Sequence, residues 1–130
     1  MSTIPRFFLE RVSRTPDARA WSTFVDGAWR DSSWGDYDQK ARGFGLGLVA
    51  AGLERGDSVA ILGETGPEWA FCDVGAIGVG AATVGLYPTL APEGTGSMHY
   101  VLEHSRARFL AVDSTATLEA KIAPILPRLG

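Results

Sequence analysis

At 130 residues the chain is long enough for one ordinary domain to bury a core without disulfides or a metal. Hydrophobic residues make up 45% and charged residues 21%, a balance that excludes a disordered or fibrous chain. The formal net charge is −3, and the arginines from Arg6 to Arg128 are scattered, so a nucleic-acid partner is excluded; a single cysteine, Cys72, excludes an internal disulfide.

In chain order, Thr3 followed by Pro5 reads as a helix cap with proline in the first turn. Ile4, Phe8 and Val12 then line one face of an amphipathic helix ending near Pro16. Charged residues Glu10, Arg11 and Arg14 interrupt this opening, so no secretory signal is expected. Ala20 to Val25 alternate as a strand, Asp26-Gly27 suits a tight turn, and Trp29 lies on the return strand of a small hairpin. A second helix starts at Ser33, carries Trp34, Tyr37, Ala41 and Leu48 at helical spacings, and stops at Gly52; Gly43, Gly45 and Gly47 weaken it.

From Asp57 the pattern changes to Val59-Ala60-Ile61-Leu62, a buried strand, then the turn Gly63-Glu64-Thr65-Gly66, then a helix from Pro67 to Gly80. A second buried strand, Ala82 to Leu86, follows and is closed by Tyr87-Pro88-Thr89. The uncharged run Val74 to Pro92 approaches the length of a membrane span. Its glycines and Pro88 make it a buried helix plus a buried strand instead. The third unit is a helix over Met98 to Glu103, a strand over Arg108 to Val112 and a last helix from Thr115 to Leu126. Strands alternating with helices imply an α/β fold: a partial doubly wound, mostly parallel sheet with right-handed crossovers and flanking helices, preceded by the β-hairpin. The sequence ends after a helix, where a crossover would deliver another strand, so an incomplete domain is expected, a terminal helix being the alternative.

Several constellations invite a chemical reading. Gly63-Glu64-Thr65-Gly66 sits where phosphate-binding loops sit, between a strand and a helix, but it matches neither nucleotide fingerprint and Glu64 would repel a phosphate. Gly43-Phe44-Gly45-Leu46-Gly47 lies inside a helical pattern, which assigns it to close helix packing. His99 and His104, five apart on a helix, diverge and read as surface or capping histidines without a metal partner set. No G-x-S-x-G elbow supports a hydrolase triad. Glu64 and Glu68 flank a helix start, where carboxylates favour the dipole. Trp21, Trp29, Trp34 and Trp69 read as core packing, and Cys72 as a buried, inert thiol.

Ile4 to Arg11 with Thr15-Pro16-Asp17, Trp29 to Tyr37, Gly52 to Leu62, Pro67-Glu68-Trp69, Gly80-Ala81 and Tyr87-Pro88-Thr89 together resemble the adenylate-forming enzymes, in particular the N-terminal portion of AMP-forming long-chain fatty acyl-CoA synthetases. Ile4-Pro5-Arg6-Phe7-Phe8-Leu9-Glu10-Arg11 with Thr15-Pro16-Asp17 is similar to their first helix and following turn. Trp29-Arg30-Asp31-Ser32-Ser33-Trp34-Gly35-Asp36-Tyr37 is similar to the hairpin return. The most specific segment is Gly52 to Leu62, then Pro67-Glu68-Trp69, Gly80-Ala81 and Tyr87-Pro88-Thr89, continued by Tyr100 to Ser105 and Leu118 to Ile122. Departures are Thr65 in place of a frequent asparagine, Gly85 in place of a frequent proline, and a small insertion at Gly94-Thr95-Gly96-Ser97.

The resemblance implies residues 1–130 of an incomplete N-terminal domain of the adenylate-forming fold, cut before the ATP-binding motifs. The family joins a carboxylic acid to ATP as an acyl-adenylate and then transfers the acyl group to coenzyme A, using ATP, Mg²⁺ and coenzyme A. Its Ser/Thr/Gly-rich loop ending in Pro-Lys-Gly, its aromatic-Gly-x-Thr-Glu motif, its ribose-binding aspartate and its C-terminal lysine have no counterpart in this sequence. No catalytic, cofactor-binding or metal-binding residue is therefore assigned, and the segment alone is expected to bind no cofactor and to be catalytically incomplete. Implied partners are the remainder of the ligase chain or a complementing polypeptide and, for the whole enzyme, a fatty acid. The implied location is cytoplasmic, with peripheral membrane contact open to the whole enzyme. The competing reading is a small stand-alone α/β binding or interaction module; a weaker one is a small nucleotide-binding α/β protein unrelated to ligases.

Overall fold

The computed structural model describes residues 3–130. Helix α1 (Ile4–Arg14) is opened by the Thr3 hydroxyl, which accepts from the Arg6 N–H, with Pro5 in the first turn. Strands β1 (Arg19–Val25) and β2 (Ala28–Ser33) pair antiparallel around Asp26 and Gly27, both at positive φ as a two-residue hairpin turn requires. Ser33 then caps α2 (Trp34–Ala50) in a capping box: its hydroxyl accepts from the Asp36 N–H at 3.1 Å, and the Asp36 carboxylate accepts from the Ser33 N–H at 2.8 Å.

Two helix exits aim the sheet. At the end of α2, Gly52 (φ +92°) donates to the Val49 carbonyl and Leu53 donates to the Leu48 carbonyl, a Schellman motif whose apolar pair, Leu48 and Leu53, is buried. Helix α3 (Pro67–Gly78) ends the same way: Gly80 (φ +93°) donates to the Ile77 carbonyl and Ala81 to the Ala76 carbonyl. The Gly56 N–H bonds the Gly80 carbonyl at 2.9 Å and Ala82 bonds the Asp57 carbonyl at 2.9 Å. Those bonds align the starts of β3 (Ser58–Leu62) and β4 (Ala82–Leu86). Asp57 also fixes the start of β5 (Ala107–Val112), its carboxylate accepting from Arg108 at 2.6 Å.

The sheet has the order β4-β3-β5, all parallel; β3 and β4 run in register from Ser58 opposite Ala82 to Leu62 opposite Leu86, and β3 and β5 from Val59 opposite Phe109 to Leu62 opposite Val112, after an irregularity at Ser58. Alternation along β3 divides the core between its two faces. Val59 packs with Leu48, Leu53 and Ala76 beneath α2 and α3. Ala60 and Leu62 pack with Leu86, Met98, Leu102, Ile122 and Ile125 beneath α4 (Met98–Ser105) and the closing turns. The β3-to-β4 and β4-to-β5 connections thus run in opposite directions across opposite faces and share one hand, as parallel crossovers do. The partial doubly wound α/β sheet and the small hairpin expected from the sequence are both present.

Helices α2 and α3 touch backbone to backbone. A Cβ on Gly45 would stand 2.6 Å from the Gly75 carbonyl oxygen, and one on Gly75 would fall on the Ala41 carbonyl. Of the three glycines expected to serve helix packing, Gly45 alone does so; Gly43 and Gly47 face open space, and the helix is continuous through all three.

The last helix is the element that departs from expectation. In place of a continuous helix from Thr115 to Leu126 there is one α-turn, α5 (Thr115–Thr117), a π turn (Leu118–Ile122) and a 3₁₀ turn (Leu126–Arg128). Pro124 cannot donate to the carbonyl four residues back and its ring crowds that position, so the preceding turn widens to the five-residue bond from Ala123 to Leu118. The tightened 3₁₀ turn then carries Pro127.

Candidate functional site

In an open parallel sheet, ligands bind outside the carboxyl ends of the strands, where neighbouring strands lead to helices on opposite faces. Strand β3 meets that condition with both of its neighbours, and the crevice lined by charged side chains lies between β3 and β5. The chain leaves β3 for α3 on one face and leaves β5 for the closing turns on the other. The crevice between the two strand ends measures about 50 Å³ and is lined by Leu62, Gly63, Glu64, Trp69, Cys72 and Asp113, among others.

Its centre is Asp113. The carboxylate accepts from the Glu64 N–H at 3.2 Å, and the Asp113 N–H donates to the Leu62 carbonyl at 3.1 Å, so the residue following β5 clasps the residues following β3. Hydrogen bonding from the Thr117 side chain, then from the Glu64 backbone, holds the Asp113 carboxyl below its ordinary range. Gly63 leaves room for this clasp: a Cβ there would meet the Asp113 Cβ at 3.0 Å. Ser114 caps the following turn through the Thr117 N–H at 3.1 Å.

This geometry is the reverse of a phosphate cradle. One backbone donor of the turn already serves a carboxylate, and Glu64, Glu68 and Asp113 surround the crevice with negative charge. The carboxylates of Glu64, Glu68 and Asp113 are electrostatically unfavourable to a phosphate group. Cys72, expected to be buried, is half-buried, and its thiol is pushed up to about 11 by burial and then by the Glu68 charge. It is protonated at neutral pH and no nucleophile. Among the described residues no group of three or more His, Cys, Asp and Glu side chains could hold a metal ion.

The other residues singled out by the sequence are dispersed. His99 bonds the Arg128 carbonyl at 3.2 Å and lies 3.4 Å from Glu103, whereas His104 stacks on Tyr100. His104 is exposed, whereas His99 is only partly so. Trp21 and Trp34 join Phe8 and Tyr37 in an aromatic cluster holding α1 and the hairpin to α2, and Trp69 covers Gly85 of β4. Trp29 corrects the core reading: it is 70% exposed and pairs edge-on with Phe24 across the hairpin. Asp113 was not singled out by the sequence. Its signal is the Asp113-Ser114-x-x-Thr117 spacing after a strand, a cap pattern legible beforehand.

A second concavity, about 730 Å³, runs along the free edge of β5, walled by Leu102, Phe109, Leu110, Ile122, Leu126 and Leu129. Strand β5 bonds β3 on one side only, so half of its backbone groups face this groove. No helix among the described residues is long and apolar enough to cross a membrane.

The family model described as "AMP-binding enzyme" matches residues 8–129. The long-chain-fatty-acid–CoA ligase FadD15 of Mycobacterium bovis is 34% identical over 116 residues, covering 88% of this chain and 19% of that protein. The long-chain-fatty-acid–CoA ligase heimdall of Drosophila melanogaster is 34% identical over 131 aligned positions, 98% of this chain and again 19% of the relative. This chain therefore spans about a fifth of the length of these relatives, as an N-terminal portion. Among solved structures, an anthranilate CoA ligase, AuaEII, in complex with anthranoyl-AMP superposes with a TM-score of 0.79 at 27% identity, over 95% of this chain and 22% of that one. The N-terminal domain of FACL13 from Mycobacterium tuberculosis shares the fold, with a TM-score of 0.79 at 22% identity over 95% of this chain and 31% of that one.

Proposed function

The chain belongs to the AMP-binding enzyme family, and from that membership we propose that it is the opening segment of an ATP-dependent long-chain fatty acid–CoA ligase, contributing framework and no reacting group. The observation that carries this reading is the family match over residues 8–129 combined with coverage of only 19% of the ligases it resembles. In the whole enzyme a fatty acid carboxylate would attack the α-phosphorus of ATP to give an acyl-adenylate and release pyrophosphate, and the thiol of coenzyme A would then take the acyl group as a thioester and release AMP. Binding of ATP, Mg²⁺ and coenzyme A would rest on the remaining four-fifths; the carboxylates of Glu64, Glu68 and Asp113 at the ends of β3 and β5, unfavourable to a phosphate, support this reading.

The partner is accordingly the rest of the ligase, joined in one chain or supplied as a complementing polypeptide. The free edge of β5 with its apolar groove supports this reading: a further strand there would satisfy backbone groups and cover Leu110 and Leu126. A cytoplasmic location, with peripheral contact to membranes that hold the fatty acid, accompanies the same reading. The experiment is an intact-mass determination on the polypeptide that an antibody against this segment captures from source cells. A mass several-fold above 13.9 kDa is expected. A mass of 13.9 kDa with no stoichiometric second polypeptide would overturn the ligase reading in favour of a stand-alone module.

A further inference from the structure

We draw no further inference here: the strongest candidate, the apolar groove between α1, α2 and α3 walled by Phe8, Leu9, Leu46 and Val79, has its two charged rim residues, Asp38 and Arg42, committed to a mutual ion pair, and nothing in the structure shows what covers it.

Discussion

Replacing Gly45 by alanine tests the crossing of α2 and α3. In an exposed helix interior the change stabilises, because alanine is about 1 kcal/mol better than glycine there. At Gly45 the added methyl would meet the Gly75 carbonyl oxygen at 2.6 Å and a Val79 methyl at 3.0 Å. The oxygen belongs to the backbone and cannot rotate away. Restoring an ordinary contact moves the helices apart by about 0.8 Å, a gap that forfeits about a quarter to a half of each dispersion contact across the interface. Overpacking of this kind costs about 1–3 kcal/mol and here falls at the upper end, because Ala76 and Leu48 of the adjoining cluster are buried. The expected net loss for Gly45→Ala is about 1–2 kcal/mol, or about 4 °C in Tm per kcal/mol. Gly43→Ala and Gly47→Ala, two residues to either side with open space around them, are expected to gain up to about 1 kcal/mol. Thermal and urea denaturation followed by circular dichroism reads all three. Equal stabilisation by all three substitutions would refute the close crossing.

Ser33→Ala removes the capping box of α2 and is expected to cost about 1 kcal/mol by urea titration. Leu62→Ala empties a site that is 1% exposed between β3 and α4, for an expected loss of about 2–5 kcal/mol in the same assay. Backbone and side-chain hydrogen bonds from Ser33 lower the Asp36 pKa, and those of Thr117 and Glu64 lower that of Asp113. A carboxylate depressed on folding stabilises fully above its unfolded pKa, here 3.8, and that contribution is lost as pH falls through the folded value. Both carboxyls should therefore titrate below 3.8 in the carboxyl carbon NMR spectrum of the folded protein, and titration at or above 3.8 would contradict the clasp and the capping box. Cys72, with its thiol near 11, should react with iodoacetamide at pH 8 far more slowly in the folded chain than in urea; equal rates would place the thiol in solvent.

Most of the fold was legible because the local signals agree with the tertiary arrangement. Thr3, Ser33 and Gly52 each mark a helix end by a cap that works within a few residues, and β3 advertises itself by an unbroken aliphatic run. The failures are long-range or competitive. Pro124 defeated the helical periodicity of Thr115 to Leu126, and a weighting of proline over pattern would have stopped that helix. Trp29 has the composition of core but occupies the outer face of a two-stranded hairpin, where burial depends on what lies opposite. The pairing of Gly45 with Gly75 could not be read from either helix alone, since the two residues are thirty positions apart. The acidic character of the crevice was half legible: Glu64 argued against a phosphate, whereas Asp113 arrives only once β5 is placed beside β3.

If this segment supplies framework, adenylation belongs to the rest of the ligase. ATP–pyrophosphate exchange by the purified 130-residue chain with a long-chain fatty acid, Mg²⁺ and ATP tests it most directly. No exchange above the protein-free background is expected. Exchange that depends on the fatty acid and saturates with ATP would contradict it and place a nucleotide site within these residues.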